Sequence, residues 1–117
     1  MAKLSTHVLD LARGVPAAGV RVALYRLSEG GSVLAGEAVT NADGRTAESL
    51  LAAPELAAGV YEIVFHAGDY FRSNGVSLTE PPFLDEVVIR FGVAAGTASY
   101  HVPLLLSPYG YSTYRGS

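Results

Sequence analysis

The sequence predicts an all-β fold, a Greek-key β-sandwich of about eight strands with one short helix. Short runs with period-two alternation recur along the chain, the pattern of an antiparallel sandwich. Gly, Pro, Asn and Asp punctuate them at the spacing that hairpins and corners require. No internal repeat and no low-complexity tail interrupts the pattern. At 117 residues the chain reads as one domain, residues 1–117.

The first strand is expected at residues 5–11, ending at Arg13-Gly14-Val15-Pro16, which reads as a loop. The second, at 20–27, sets Val20, Val22 and Leu24 on one face, and Glu29-Gly30-Gly31 turns the chain. The third is expected at 32–40. Asn41-Ala42-Asp43-Gly44 follows, a turn signal because Asp and Gly tolerate the backbone angles of tight turns. A short fourth strand is expected at 45–50, then an Ala-rich loop at 51–59 containing Pro54. The fifth, at 60–67, is aromatic and β-branched. Residues 69–74 suit a single helical turn, with Asp69 as cap and Gly75 as stop. Thr79-Glu80-Pro81-Pro82 is a rigid connection to the sixth strand at 85–93. The seventh is expected at 98–106 and the eighth at 109–114. Pro103 removes one ladder donor from the seventh, which predicts a bulge or an unpaired edge there.

Composition narrows the function. Half the residues are apolar, yet no apolar run reaches the roughly 18–20 residues that span a bilayer. The start, Met1-Ala2-Lys3-Leu4-Ser5-Thr6-His7, has no apolar signal core, so cytoplasmic residence is expected. There is no cysteine, which excludes disulfides, thiolate metal sites and thiol nucleophiles together. The net charge of −3 is scattered, with no basic patch for nucleic acid. The apolar surplus in a chain only 16% charged hints at a buried subunit interface.

The carboxy end is unusual. Chain ends are commonly small, polar and frayed. Here the last residues form a dense aromatic and polar run, Ser107-Pro108-Tyr109-Gly110-Tyr111-Ser112-Thr113-Tyr114-Arg115-Gly116-Ser117. Tyr and Arg together suit the gripping of a flat, polar ligand, so an ordered terminus forming part of a site is expected. The three histidines are His7, His66 and His101. Each alone reads as a satisfied or solvated strand residue. Arg45 alone reads as an exposed strand-start arginine, and His66 as structural. The combination of His7, Arg45, His101 and the terminal run carries the functional reading.

That combination resembles the 5-hydroxyisourate hydrolases, the transthyretin-related proteins. The stretches that carry the resemblance are Leu4-Ser5-Thr6-His7-Val8-Leu9-Asp10, Asn41-Ala42-Asp43-Gly44-Arg45, Gly68-Asp69-Tyr70-Phe71, and the segment from Tyr100 to the terminal Tyr114-Arg115-Gly116-Ser117. The resemblance implies a transthyretin-like sandwich assembled as a homotetramer, a dimer of dimers, with active sites in the channel between dimers. It implies hydrolytic opening of the six-membered ring of 5-hydroxyisourate, giving 2-oxo-4-hydroxy-4-carboxy-5-ureidoimidazoline in urate breakdown, without cofactor or metal. It implies His7, Arg45, His101 and Ser117 as catalytic residues, and His7, Arg45 and Tyr114 as substrate contacts, with Arg115 anchoring the tail.

These residue types suit the chemistry. Water attacking an amide-like carbonyl must lose a proton, and histidine titrates in the useful range. The attacked oxygen gains charge that a fixed arginine stabilises. The residues alone leave open whether His101 or His7 is the base. Three other classes compete. A zinc hydrolase needs about three closely arranged protein ligands, and neither histidine has an HxH or HExxH partner. A transthyretin-like carrier without catalysis shares the fold, but two histidines and an arginine poorly line a channel for an apolar hormone. A structural or adhesive sandwich has no need of a fixed terminus.

Overall fold

The computed structural model describes residues 3–46, 56–96 and 99–116. Its elements are β1 (Lys3–Asp10), β2 (Val15–Pro16), β3 (Arg21–Ser28), β4 (Gly31–Val39), β5 (Gly59–His66), α1 (Ala67–Ser73), β6 (Glu86–Val93), β7 (Ser99–Ser107) and β8 (Gly110–Thr113). They form two four-stranded sheets, one ordered β2-β1-β7-β8 and the other β4-β3-β5-β6. The alternation in sequence becomes the partition between faces. β1 buries Leu4, Thr6, Val8 and Asp10 and turns Ser5, His7 and Leu9 outward, half exposed. β5 buries Tyr61, Ile63 and Phe65 by the same period. The inner faces, with Val102, Leu104 and Leu106 of β7 and Val87 and Ile89 of β6, make one continuous core. Each such aliphatic side chain contributes about 1.5–3 kcal/mol by leaving water.

Four expectations change in detail. The ladder is not wholly antiparallel: β1 pairs with β7 in parallel, with Ser5 opposite His101 and His7 opposite Pro103. Alternation reports which side of a sheet a residue faces but not the direction of its neighbour. Residues expected as a loop include β2, where Val15 and Pro16 pair with Asp10 and Leu9. The expected fourth strand is reduced at its start to a single bridge from Arg45 to His7, and residues 47–50 lie outside the described residues. The helix starts at Ala67, two residues before Asp69, with His66 at the N-cap position and no side-chain cap. Asp69 sits instead in its first turn, where its charge favours the helix dipole.

Pro103 lies on an interior strand, so the expectation of an unpaired position is met only locally. The β7–β8 ladder runs from Ser107 opposite Gly110 to Leu104 opposite Thr113 and stops there. Pairing resumes as one bridge between His101 and Gly116. The register is unbroken, with no bulge, and the missing donor falls in the gap. The Pro103 carbonyl is satisfied by the Thr113 hydroxyl at 2.7 Å. Proline thus ends the regular ladder where the carboxy-terminal segment must lie against His101.

A buried polar contact ties the first sheet to the helix. The Tyr70 hydroxyl donates to Asp10 Oδ2 at 2.7 Å, and the Arg13 backbone N–H donates to Oδ1 at 3.1 Å. Asp10 is fully buried and Tyr70 is 3% exposed. Burial, then the hydrogen bond to Asp10, then the Asp10 charge push the phenol from the ordinary 10.0 up to about 12. A raised folded-state value favours the neutral phenol. This contribution is complete below 10.0 and is withdrawn as pH rises toward about 12. Tyr70→Phe is therefore expected to cost about 1–3 kcal/mol at neutral pH by leaving buried Asp10 short of a partner. Denaturant midpoints across the alkaline range check this: wild type should lose stability more steeply there than the variant. Among the described residues, no helix is long and apolar enough to cross a membrane.

Candidate active site

The site is built on the outer face of the first sheet. On β1 the half-exposed side chains are Ser5, His7 and Leu9, and on β7 they include His101 and Leu105. The parallel register sets His101 directly beside Ser5 and one pleat from His7, so both imidazoles share a face.

Arg45 is delivered by the Asn41–Gly44 turn. Asn41 Oδ1 accepts from the Asp43 N–H at 2.9 Å and the Arg45 N–H at 3.2 Å. The Asn41 N–H donates to the Arg45 carbonyl at 2.7 Å, closing the turn from the other side. The Gly44 carbonyl then accepts from the Val8 N–H at 2.8 Å, which docks the turn on β1. Gly44 has φ +76, and a Cβ there would collide with the Val8 carbonyl oxygen. Glycine is needed for both the angle and the close approach. Docking leaves Arg45 bridged to His7.

The terminal segment arrives from the opposite direction. The Gly116 N–H donates to the His101 carbonyl at 2.7 Å. A Cβ on Gly116 would press on the His101 ring, so the tail backbone lies directly against the imidazole. Arg115 holds the segment: its guanidinium stacks 4.2 Å from the centroid of the Tyr100 ring, and Nη2 donates to the Ser99 carbonyl at 3.3 Å. Tyr114 projects outward, 58% exposed. Ser117 lies outside the described residues. His66 belongs elsewhere. It lies on the outer face of the second sheet, its Nδ1 3.6 Å from Glu86 Oε2.

His101 is held and tuned. Ser5 Oγ stands 2.8 Å from its Nδ1. Its pKa lies below the ordinary 6.5: burial penalises the imidazolium most, the Arg45 charge next and His7 third, while a hydrogen bond to the Ser5 backbone opposes them. Near neutral pH it is therefore an unprotonated ring able to accept a proton. Arg45 acts on it through space and offers a cation on the same face. A base, a cation and the segment through Gly116 around one open surface can activate water beside a polarised carbonyl. Among the described residues no group of three or more His, Cys, Asp or Glu side chains could hold a metal ion.

Sequence reasoning assigns no site role to Ser5 or Tyr100, and reads Asn41 as part of the turn without its link to Arg45. Ser5 shares strand parity with His7, which was a usable signal for its face. Only the register with β7 reveals its contact with His101.

The sequence profile of the HIUase/Transthyretin family matches residues 4–116. The chain is 59% identical to a 5-hydroxyisourate hydrolase of Mesorhizobium japonicum over 115 residues, covering 98% of this chain and 92% of that one. The structure of Klebsiella pneumoniae 5-hydroxyisourate hydrolase superposes with a TM-score of 0.82 at 40% identity, covering 100% of both chains. The crystal structure of an (S)-allantoin synthase superposes with a TM-score of 0.91 at 45% identity, covering 99% of this chain and 44% of that longer one.

Proposed function

The chain belongs to the HIUase/Transthyretin family, and from that premise we propose that the His7–Arg45–His101 face hydrolyses 5-hydroxyisourate in urate catabolism. The observation that carries the proposal is the convergence of two bridges on one sheet face. One joins His7 to Arg45 and the other joins His101 to Gly116.

His101 is the base. Its lowered pKa keeps the ring neutral at working pH, and Ser5 holds Nδ1, leaving Nε2 for the reaction. Water gives a proton to Nε2 as its oxygen attacks the ring carbonyl. The carbonyl oxygen takes up negative charge, which Arg45 stabilises more strongly as water is excluded. The carbon–nitrogen bond then breaks, and the proton held on His101 passes to the leaving nitrogen. The ring is opened with water added and nothing oxidised or reduced. His7 and Tyr114 contact the flat substrate through ring and hydroxyl, Arg115 keeps the tail in place, and Ser117 takes part in catalysis. No cofactor takes part.

The working form is a homotetramer, a dimer of dimers, in which opposed faces of this kind enclose the substrate. Supporting this, Arg45 is exposed and His7 only half-buried in the isolated protomer. Aromatic surface also stands outside the core, with Phe83 69% exposed and Tyr109 64% exposed, their rings 6.0 Å apart. Residence in the cytoplasm accompanies this reading.

The test is a spectroscopic decay assay with 5-hydroxyisourate generated in situ by urate oxidase, run against a no-protein control because the compound also decays spontaneously. Acceleration proportional to protein concentration is expected. Tight binding of an iodinated aromatic hormone with no acceleration would establish a carrier instead.

A further inference from the structure

The contact between Ser5 and His101 has a consequence for proton transfer. A neutral imidazole carries one N–H, and the nitrogen that bears it decides which nitrogen can act as a base. Ser5 approaches Nδ1 with its hydroxyl at 2.8 Å, across 96 residues of sequence. The two residues are direct register partners in the parallel β1–β7 pair, so neither strand can slide to loosen the contact without breaking the ladder. Around this position the polypeptide is fixed on both sides. The Thr6 hydroxyl donates to the Val102 carbonyl at 2.7 Å, and the Gly116 N–H donates to the His101 carbonyl at 2.7 Å.

We infer that Ser5 is a positioning residue that holds His101 as its Nδ1–H tautomer and so presents the Nε2 lone pair to water. This rests on the hydrolase reading with His101 as its base, and the direction of the hydrogen bond follows from it. Ser5 engages the ring at Nδ1, and the Gly116 backbone lies against Cδ2, so Nε2 is the nitrogen that takes the proton from water. A neutral imidazole that accepts at Nε2 carries its hydrogen on Nδ1, and the Ser5 hydroxyl accepts from it. The role resembles that of the group that orients a histidine base in other hydrolytic sites, filled here by a neutral hydroxyl on the neighbouring strand.

The tautomer can be read without turnover, from nitrogen-15 histidine spectra of the substrate-free protein at mildly alkaline pH. His101 is expected as Nδ1–H, and an Nε2–H ring in the wild-type protein overturns the inference. Ser5→Ala is expected to shift the ring toward Nε2–H and to lower kcat about five- to tenfold, with KM nearly unchanged. It should also move the acid limb of the pH–rate profile to lower pH, since an acceptor of the imidazolium is lost. Ser5→Thr keeps a hydroxyl on a strand-compatible side chain and should recover tautomer and rate. A folded Ser5→Ala protein with unchanged tautomer overturns the inference. So does a changed tautomer with native kcat, or a loss of rate that Ser5→Thr fails to recover. If Ser5→Ala does not fold, the wild-type spectrum decides. Failure of the hydrolase reading is separable. It would appear as no acceleration of 5-hydroxyisourate decay by the wild-type protein while its spectrum still shows Nδ1–H.

Discussion

His101→Asn is expected to reduce turnover of 5-hydroxyisourate by about 10²–10⁴-fold while leaving the fold intact, the range a positioned general base contributes. Asparagine keeps polarity and approximate volume beside Ser5 and Gly116 but offers no nitrogen that takes a proton near neutral pH. The wild-type pH profile should carry the same signature. The base must be neutral to act, and burial, Arg45 and His7 all lower its pKa below the ordinary 6.5. Activity should therefore hold through neutrality and fall only as the solution becomes more acidic than 6.5. An acid limb above that value would contradict the assignment. So would near-native turnover by a folded, correctly assembled His101→Asn protein.

Much of this arrangement is legible in the sequence, for identifiable reasons. Parity on a strand at 5–11 groups His7 with Leu9 and Leu11, and in β1 His7 and Leu9 do share the face opposite the buried Leu4 and Val8. The Asn41–Gly44 turn could be read from side-chain chemistry alone, and the Asn41 amide oxygen does cap it. What could not be read depends on pairing between distant segments. The parallel partnership of β1 and β7 leaves no local trace, because no turn joins the two strands and alternation is blind to direction. Ser5 was hidden for that reason: its importance lies in residue 101 standing opposite it. Val15 and Pro16 were hidden for another. Two residues are too few to show a period, and their composition is that of a loop. Pro103 is legible as a missing donor but not as a residue of an interior strand, because that depends on where β8 ends.

Arg45→Ala is expected to lower kcat/KM by about 10²–10³-fold, the loss seen when a group facing developing negative charge is removed. This substitution also separates electrostatics from architecture. The Arg45 backbone, not its side chain, closes the turn with Asn41 and forms the bridge to His7. Truncation should therefore leave the turn and the fold in place. What it removes is the charge, and that charge is the second-largest cause of the lowered His101 pKa. The acid limb of the pH–rate profile should move upward toward the ordinary 6.5 in the variant, opposite in direction to the shift expected for Ser5→Ala. Arg45→Lys should keep most of the electrostatic effect on His101 but recover only part of the rate, because a lysine cannot offer the planar fork that matches a flat, carbonyl-rich substrate. Measuring rate and acid limb together for both substitutions tests the face as a coupled unit. A large loss of rate with no movement of the limb would confine Arg45 to substrate binding and sever its influence on the base. Native rates in Arg45→Ala would remove the cation from the mechanism altogether.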